Sequence, residues 1–120
     1  MEQDLFNKVS VETAAHYQWG DNCDGWFFVS SDTLSVIRER MPPHTQEQLH
    51  YHRNAQQFFY ILSGDAVFEV EGTTVHVEAG SGIHIKKGAV HRIRNDRDDD
   101  LHFIVISEPK THGDRVNIEA

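Results

Sequence analysis

His50-Tyr51-His52-Arg53-Asn54-Ala55-Gln56-Gln57-Phe58-Phe59-Tyr60-Ile61-Leu62-Ser63-Gly64 is the stretch on which the fold turns. On a β-strand, successive side chains point to opposite faces. His50 and His52 are two apart, so both imidazoles leave a strand on the same side. Arg53-Asn54-Ala55 supplies a short loop, and residues 56–62 are the most apolar segment of the chain. Gln57, Phe59 and Ile61 share one face of that segment, while Phe58, Tyr60 and Leu62 share the other. Helical periodicity also accommodates residues 56–62, but their aromatic content and short length favour a strand. The first set is expected to line the interior and the second to face out.

Working outward, Ser63-Gly64-Asp65 turns the chain into residues 66–70, and Glu71-Gly72 turns it into 73–78. Ala79-Gly80-Ser81-Gly82 leads into 83–85, and Lys86-Lys87-Gly88 into 90–94. After the polar loop 95–100, residues 101–106 read as another strand. Upstream, Trp26-Phe27-Phe28-Val29 has strong β character, and residues 34–41 alternate less cleanly before Pro42-Pro43 ends them. Val9 and Val11 suggest a short edge strand, Trp19-Gly20-Asp21-Asn22 a turn, and residues 110–120 carry no clear signal. Many short strands with closely spaced turns predict an all-β sandwich or barrel. No repeat, linker or second domain is visible, so residues 1–120 are expected to form one domain with its core over 26–107.

Composition narrows the function classes. The chain has 120 residues, 38% hydrophobic and 10% aromatic, which suits one modest globular core. A formal charge of −8 opposes a nucleic-acid footprint. The acidic run at residues 96–100 reads as a solvated loop. One cysteine, Cys23, precludes an intrachain disulfide. Met1-Glu2-Gln3-Asp4 lacks the character of a signal peptide, and no apolar run approaches ~20 residues. A soluble, cytoplasmic protein with no membrane association is the expectation.

Histidine ligates first-row metals through a neutral ring nitrogen. Nine histidines in the chain make a single His-x-His unremarkable, so the larger spacing has to carry the argument. His50-x-His52 is followed by Gln57 and, after six intervening residues, by Gly64. Gly80, Lys86, Gly88, His91 and Asn95 form a second spaced set.

Together these two sets resemble the cupin family, whose motifs are written G-x5-H-x-H-x3,4-E-x6-G and G-x5-P-x-G-x2-H-x3-N. The resemblance covers roughly residues 26–107. It implies a double-stranded β-helix, or jelly roll, with one divalent transition metal ion (zinc, iron, nickel or manganese) in the barrel mouth. It also implies His50, His52, Gln57 and His91 as ligands. Three positions depart from the pattern: His44 replaces the first glycine, Lys86 the proline, and Gln57 the glutamate. An amide oxygen can ligate but brings no charge, which weakens affinity and leaves the ion a stronger Lewis acid. Three readings of the site follow: four ligands including Gln57, three histidines with open positions, or a degenerate site without metal. Small cupins also commonly pair as two-fold dimers through an outer sheet face, so a homodimer with Trp26 or Phe28 near the contact is expected.

The resemblance implies a metal-dependent enzyme acting on a small polar molecule, of dioxygenase, isomerase or lyase type. The alternative is a non-catalytic small-molecule or sugar-binding module. No general base is evident: Tyr60 and Glu69 would serve only if they faced inward. Arg38 and Arg40 share a face and would hold an anion if that face were interior. His76, His84 and His102 lack partners at ligand spacing, and His16 and His112 lie in weakly patterned ends. An open metal position beside a titratable group would favour catalysis, whereas an apolar pocket would favour binding.

Overall fold

The computed structural model describes residues 5–119, so the reading of Met1–Asp4 lies outside them. Within these residues the structure is all β, with no helix, and hence none long and apolar enough to cross a membrane. The strands are β1 (Ala15–Trp19), β2 (Cys23–Ser30), β3 (Ser35–Met41), β4 (Thr45–Gln46), β5 (His50–His52), β6 (Gln56–Ser63), β7 (Asp65–Val70), β8 (Thr73–Glu78), β9 (Gly82–Ile85), β10 (His91–Asn95), β11 (Leu101–Glu108) and β12 (Arg115–Asn117). They form two antiparallel sheets, ordered β1-β2-β3-β11-β6-β9 and β12-β5-β10-β7-β8, with β4 paired to β10. This is the expected double-stranded β-helix.

The alternation of β6 reads directly in burial. Gln57, Phe59 and Ile61 are buried, while Phe58 and Tyr60 are exposed. Phe59 meets Phe68 and Phe103 with ring centroids 5.0 and 5.8 Å apart, and Met41, Ile61, Ile93 and Leu101 close the core around them. Each such side chain contributes about 1.5–3 kcal/mol by leaving water. On β3, Ile37 and Met41 join this packing, so Arg38 and Arg40 face outward, and Arg40 pairs with Asp24 and Asp100.

The family-pattern positions have structural reasons. Gly64 has φ of 89°, and a Cβ there would lie 2.9 Å from the Asp100 carbonyl oxygen. His44 takes the first glycine's place with φ of 60°, in the left-handed region that glycine adopts without strain. The Asn95 amide donates to the carbonyls of Met41, Pro42 and Asp99, stapling β10 to the end of β3.

Two expectations are corrected. Val9 and Val11 form no strand. Residues 10–14 turn instead, with Ala14 N donating to Ser10 O, and the edge strand is β1. The tail is not featureless either, because β12 pairs with β5 at Arg115 and His52, and at Asn117 and His50.

Candidate metal centre

The three motif histidines come from neighbouring strands of the second sheet. His50 and His91 are a direct cross-strand pair between β5 and β10, and His52 lies one pleat along. The turn before β10 is tied to that pleat, since Gly88 N donates to His52 O at 2.8 Å. The rings converge, with centroids 4.4 Å apart for His50–His91, 5.0 Å for His50–His52 and 5.9 Å for His52–His91. One nitrogen from each lies within 4.8 Å of the others. Nitrogens bound to one ion at about 2.1 Å sit no more than about 4.2 Å apart, so small ring rotations close the set.

Their chemistry suits ligation. His50 Nδ1 faces the Gln48 carbonyl at 2.7 Å, and His91 Nδ1 faces the Ala89 carbonyl at 2.9 Å. A ring that donates from Nδ1 keeps its Nε2 lone pair free. His52 Nδ1 is buried with no partner among the described residues. The three side chains are only 1%, 4% and 1% exposed. Burial holds His50 and His52 down to about 4 and lowers His91 as well, so all three are neutral at physiological pH. Neutral imidazole is the form that binds metal.

Gln57 approaches from the opposite sheet. Its Nε2 donates to Ser107 Oγ at 3.1 Å, which leaves Oε1 facing His91 Nε2, also at 3.1 Å. A neutral imidazole has one N–H. With that hydrogen directed from Nδ1 to Ala89 O, two lone pairs meet between His91 and Gln57. A cation between them satisfies both, so the donor set fits a divalent ion.

His50, His52 and Gln57 line a cavity of about 310 Å³, and its further walls hold groups to which the sequence assigned no role. Tyr17, Glu39, Glu47, His112 and Arg115 all line it. Glu39 alternates with Ile37 and Met41 on β3, so its inward parity was available in the sequence. The Tyr17 hydroxyl donates to Glu39 Oε2 at 3.1 Å, and Arg115 pairs with Glu47 at 3.5 Å. Burial raises Glu39 to about 8, with the nearby Glu47 adding to the effect. Tyr60 is exposed and Glu69 is held by Arg92 and Arg94, so neither reaches the cavity. His76 is exposed, His84 bonds Gln56, and His16 bonds Asp24.

The loop that follows His52 is held by Asp114, a residue 8% exposed. Its carboxylate accepts from the backbone N–H of Arg53, Asn54 and Ala55 and from the Asn54 amide. Burial opposes the charge, but these donors and His52 leave the carboxyl below its ordinary value. Asp114→Ala is expected to cost about 3 kcal/mol, because it orphans buried N–H groups. Denaturant unfolding measures it. The native contribution is present above the unfolded carboxyl's pKa of about 3.9 and is lost as pH falls through the depressed folded value.

The cupin domain family profile matches residues 37–107. An oxalate-binding protein of Thermotoga maritima is 33% identical over 69 residues, which are 58% of this chain and 57% of that protein. The chain thus matches little more than half the length of this curated relative. A double-stranded β-helix protein of Klebsiella pneumoniae superposes with a TM-score of 0.79 at 19% identity, over 96% of this chain and 99% of that one. A predicted oxalate decarboxylase of Thermotoga maritima does so with 0.79 at 22% identity, over 87% and 100%. The last two likenesses concern the fold alone. The profile match spans both histidine motifs, and the strands that carry them place His50, His52 and His91 together between two antiparallel sheets, so the chain belongs to the cupin family.

Proposed function

We propose that this chain is a metal-dependent cupin enzyme, with one divalent ion on His50, His52, His91 and the Gln57 oxygen. Its substrate is a small polar molecule bound through oxygen. The observation that carries this reading is the convergence of three neutral, buried imidazoles and an inward amide oxygen, beside a cavity that His50, His52 and Gln57 line. When bound, the ion supplies Lewis acidity that polarises a carbonyl. Glu39 supplies a titratable group in the same cavity, so the pocket is more than a passive apolar receptacle. That favours isomerase or lyase chemistry, which needs a base, over oxygen activation. Elemental analysis of protein purified without added metal tests the centre, with about one divalent first-row ion per chain expected. No ion, and no uptake on zinc titration, would discard it.

The second reading is a binding module, and the oxalate-binding relative favours it. A small dicarboxylate would chelate the ion, and Arg115 in the cavity wall offers a guanidinium to its far end. Calorimetry of the zinc-loaded protein with oxalate distinguishes a tight, unreacted ligand from none.

The proposal extends to a single cupin domain over residues 1–120, a cytoplasmic location and a homodimer. Phe58, Tyr60 and Ile106 are 40%, 41% and 37% exposed on the outer face of the sheet that holds β6 and β11, a patch that a second copy would cover. Light scattering at micromolar concentration should give twice the chain mass, and Tyr60→Glu should give a folded monomer. A monomeric wild type would rule the dimer out.

A further inference from the structure

Tyr17, Gly25 and Glu39 lie in one row across three strands, Tyr17 opposite Gly25 on β2 and Gly25 opposite Glu39 on β3. Backbones two strands apart are separated by about 10 Å. The Tyr17 hydroxyl nevertheless reaches Glu39 Oε2 at 3.1 Å. It does so by lying across Gly25, where a Cβ would sit 2.5 Å from the hydroxyl oxygen and overlap the ring. Gly25 is therefore a gap that lets a side chain cross the middle strand. The carboxylate so held has no ion-pair partner among the described residues, unlike Glu47 beside it with Arg115. Glu39 and Tyr17 both line the cavity that holds His50, His52 and Gln57.

We infer that Glu39 is the acid–base residue of this site and acts on a small α-hydroxy carbonyl compound, with Tyr17 as its positioning residue and Gly25 as the space that admits Tyr17. The inference rests on the metal-centre reading, because a carbon-bound hydrogen becomes acidic only beside a polarised carbonyl. The Glu39 carboxylate takes the proton from the hydroxyl-bearing carbon, and the C–H electron pair becomes the carbon–carbon π bond while the carbonyl oxygen takes the charge. The hydroxyl proton then passes to the former carbonyl oxygen. A new carbonyl forms at the hydroxyl-bearing carbon, and the π pair takes the Glu39 proton at the neighbouring carbon. Carbonyl and hydroxyl exchange places, no oxidant or reductant is used, and Glu39 returns to its starting form.

The surroundings suit that exchange. Burial and the like charge of Glu47 raise Glu39 to about 8, while the Tyr17 hydrogen bond and Arg115 act against this rise. A carboxyl poised there both accepts and returns a proton near neutral pH. Tyr17, desolvated and beside Glu39, is pushed far above the ordinary phenol value and stays a donor. The other titratable groups on the cavity are His50, His52, His112 and Glu47.

The test uses the full chain loaded with zinc and labelled with ¹³C at the glutamate carboxyl. One carboxyl signal should titrate near neutral pH and vanish in Glu39→Gln. It should titrate higher in Tyr17→Phe and in Gly25→Ala, since both remove the hydrogen bond that favours the charged form. With dihydroxyacetone in D2O as the probe, wild type should catalyse carbon–hydrogen exchange. Glu39→Gln should lose it by about a hundredfold or more at unchanged zinc content. Failure of any neutral-range signal to disappear in Glu39→Gln, or exchange that survives the substitution, overturns Glu39; a signal from Glu47, whose carboxyl burial also raises, is present in both proteins. An unmoved signal in Tyr17→Phe overturns the positioning role, and no exchange by zinc-loaded wild type overturns the substrate class. Failure of wild type to take up zinc is a different result and overturns the metal centre itself.

Discussion

His91→Ala is expected to lower zinc affinity by at least about a hundredfold, and His52→Ala by a similar factor, measured by competition with a chelating dye. Loss of a group that merely orients a ligand typically costs about 10–100-fold, so loss of a ligand itself should cost no less. The structure gives reasons for a large effect. The three rings are already desolvated and neutral, so no proton has to leave before an ion binds. His91 also has its Nδ1 hydrogen bond to the Ala89 carbonyl, which fixes the ring that faces both His50 and Gln57. Alanine removes the donor shared by those contacts, and no other described residue on β10 offers a nitrogen there. Circular dichroism of the metal-free variants separates a lost ligand from a lost fold. Full zinc occupancy in both variants would discard the site.

The parts of this site that were legible in the sequence are those governed by short spacing. His50 and His52 share a face because they are two apart, and the turn at residues 86–88 brings His91 into register with them. The inward set Gln57, Phe59 and Ile61 follows from the same rule. What the sequence concealed depends on contacts between distant segments. β12 is three residues long, with its partner β5 more than sixty positions earlier, so no local pattern marks it. Asp114 reads as an ordinary loop acid until its four donors from residues 53–55 are seen. Glu39 is an intermediate case: its parity with Ile37 and Met41 is local, but the adjacent Val36 and Ile37 blur the run, and its partner lies two strands away. Tyr17 reaches it only because residue 25 has no side chain, a fact of three strands together. His44 is the reverse case: it looked like a departure from the motif, yet its backbone sits in the left-handed region open to glycine.

Gln57→Glu is expected to tighten divalent-ion binding, and Gln57→Ala to weaken it. The amide now spends its nitrogen on Ser107 and points its oxygen at His91 Nε2, so a carboxylate in the same rotamer would place charge where the oxygen already sits. Coulomb attraction at ligand distance is large even with generous screening. Ser107 need not be left unpaired, because its hydroxyl can turn from accepting to donating. The same negative charge makes the ion less electrophilic, so the pKa of a bound water should rise as affinity rises. In the absence of metal the glutamate is a buried charge, and the metal-free fold should be less stable than wild type. The opposite amide orientation makes a different forecast. With the nitrogen inward, the amide would donate to His91 Nε2 and compete with the ion for that lone pair. Gln57→Ala would then leave zinc affinity unchanged or raise it. Zinc titration of the two metal-free variants against wild type reads the orientation directly. Weaker binding in Gln57→Ala with tighter binding in Gln57→Glu identifies an oxygen ligand, and unchanged or tighter binding in Gln57→Ala reduces the centre to three histidines.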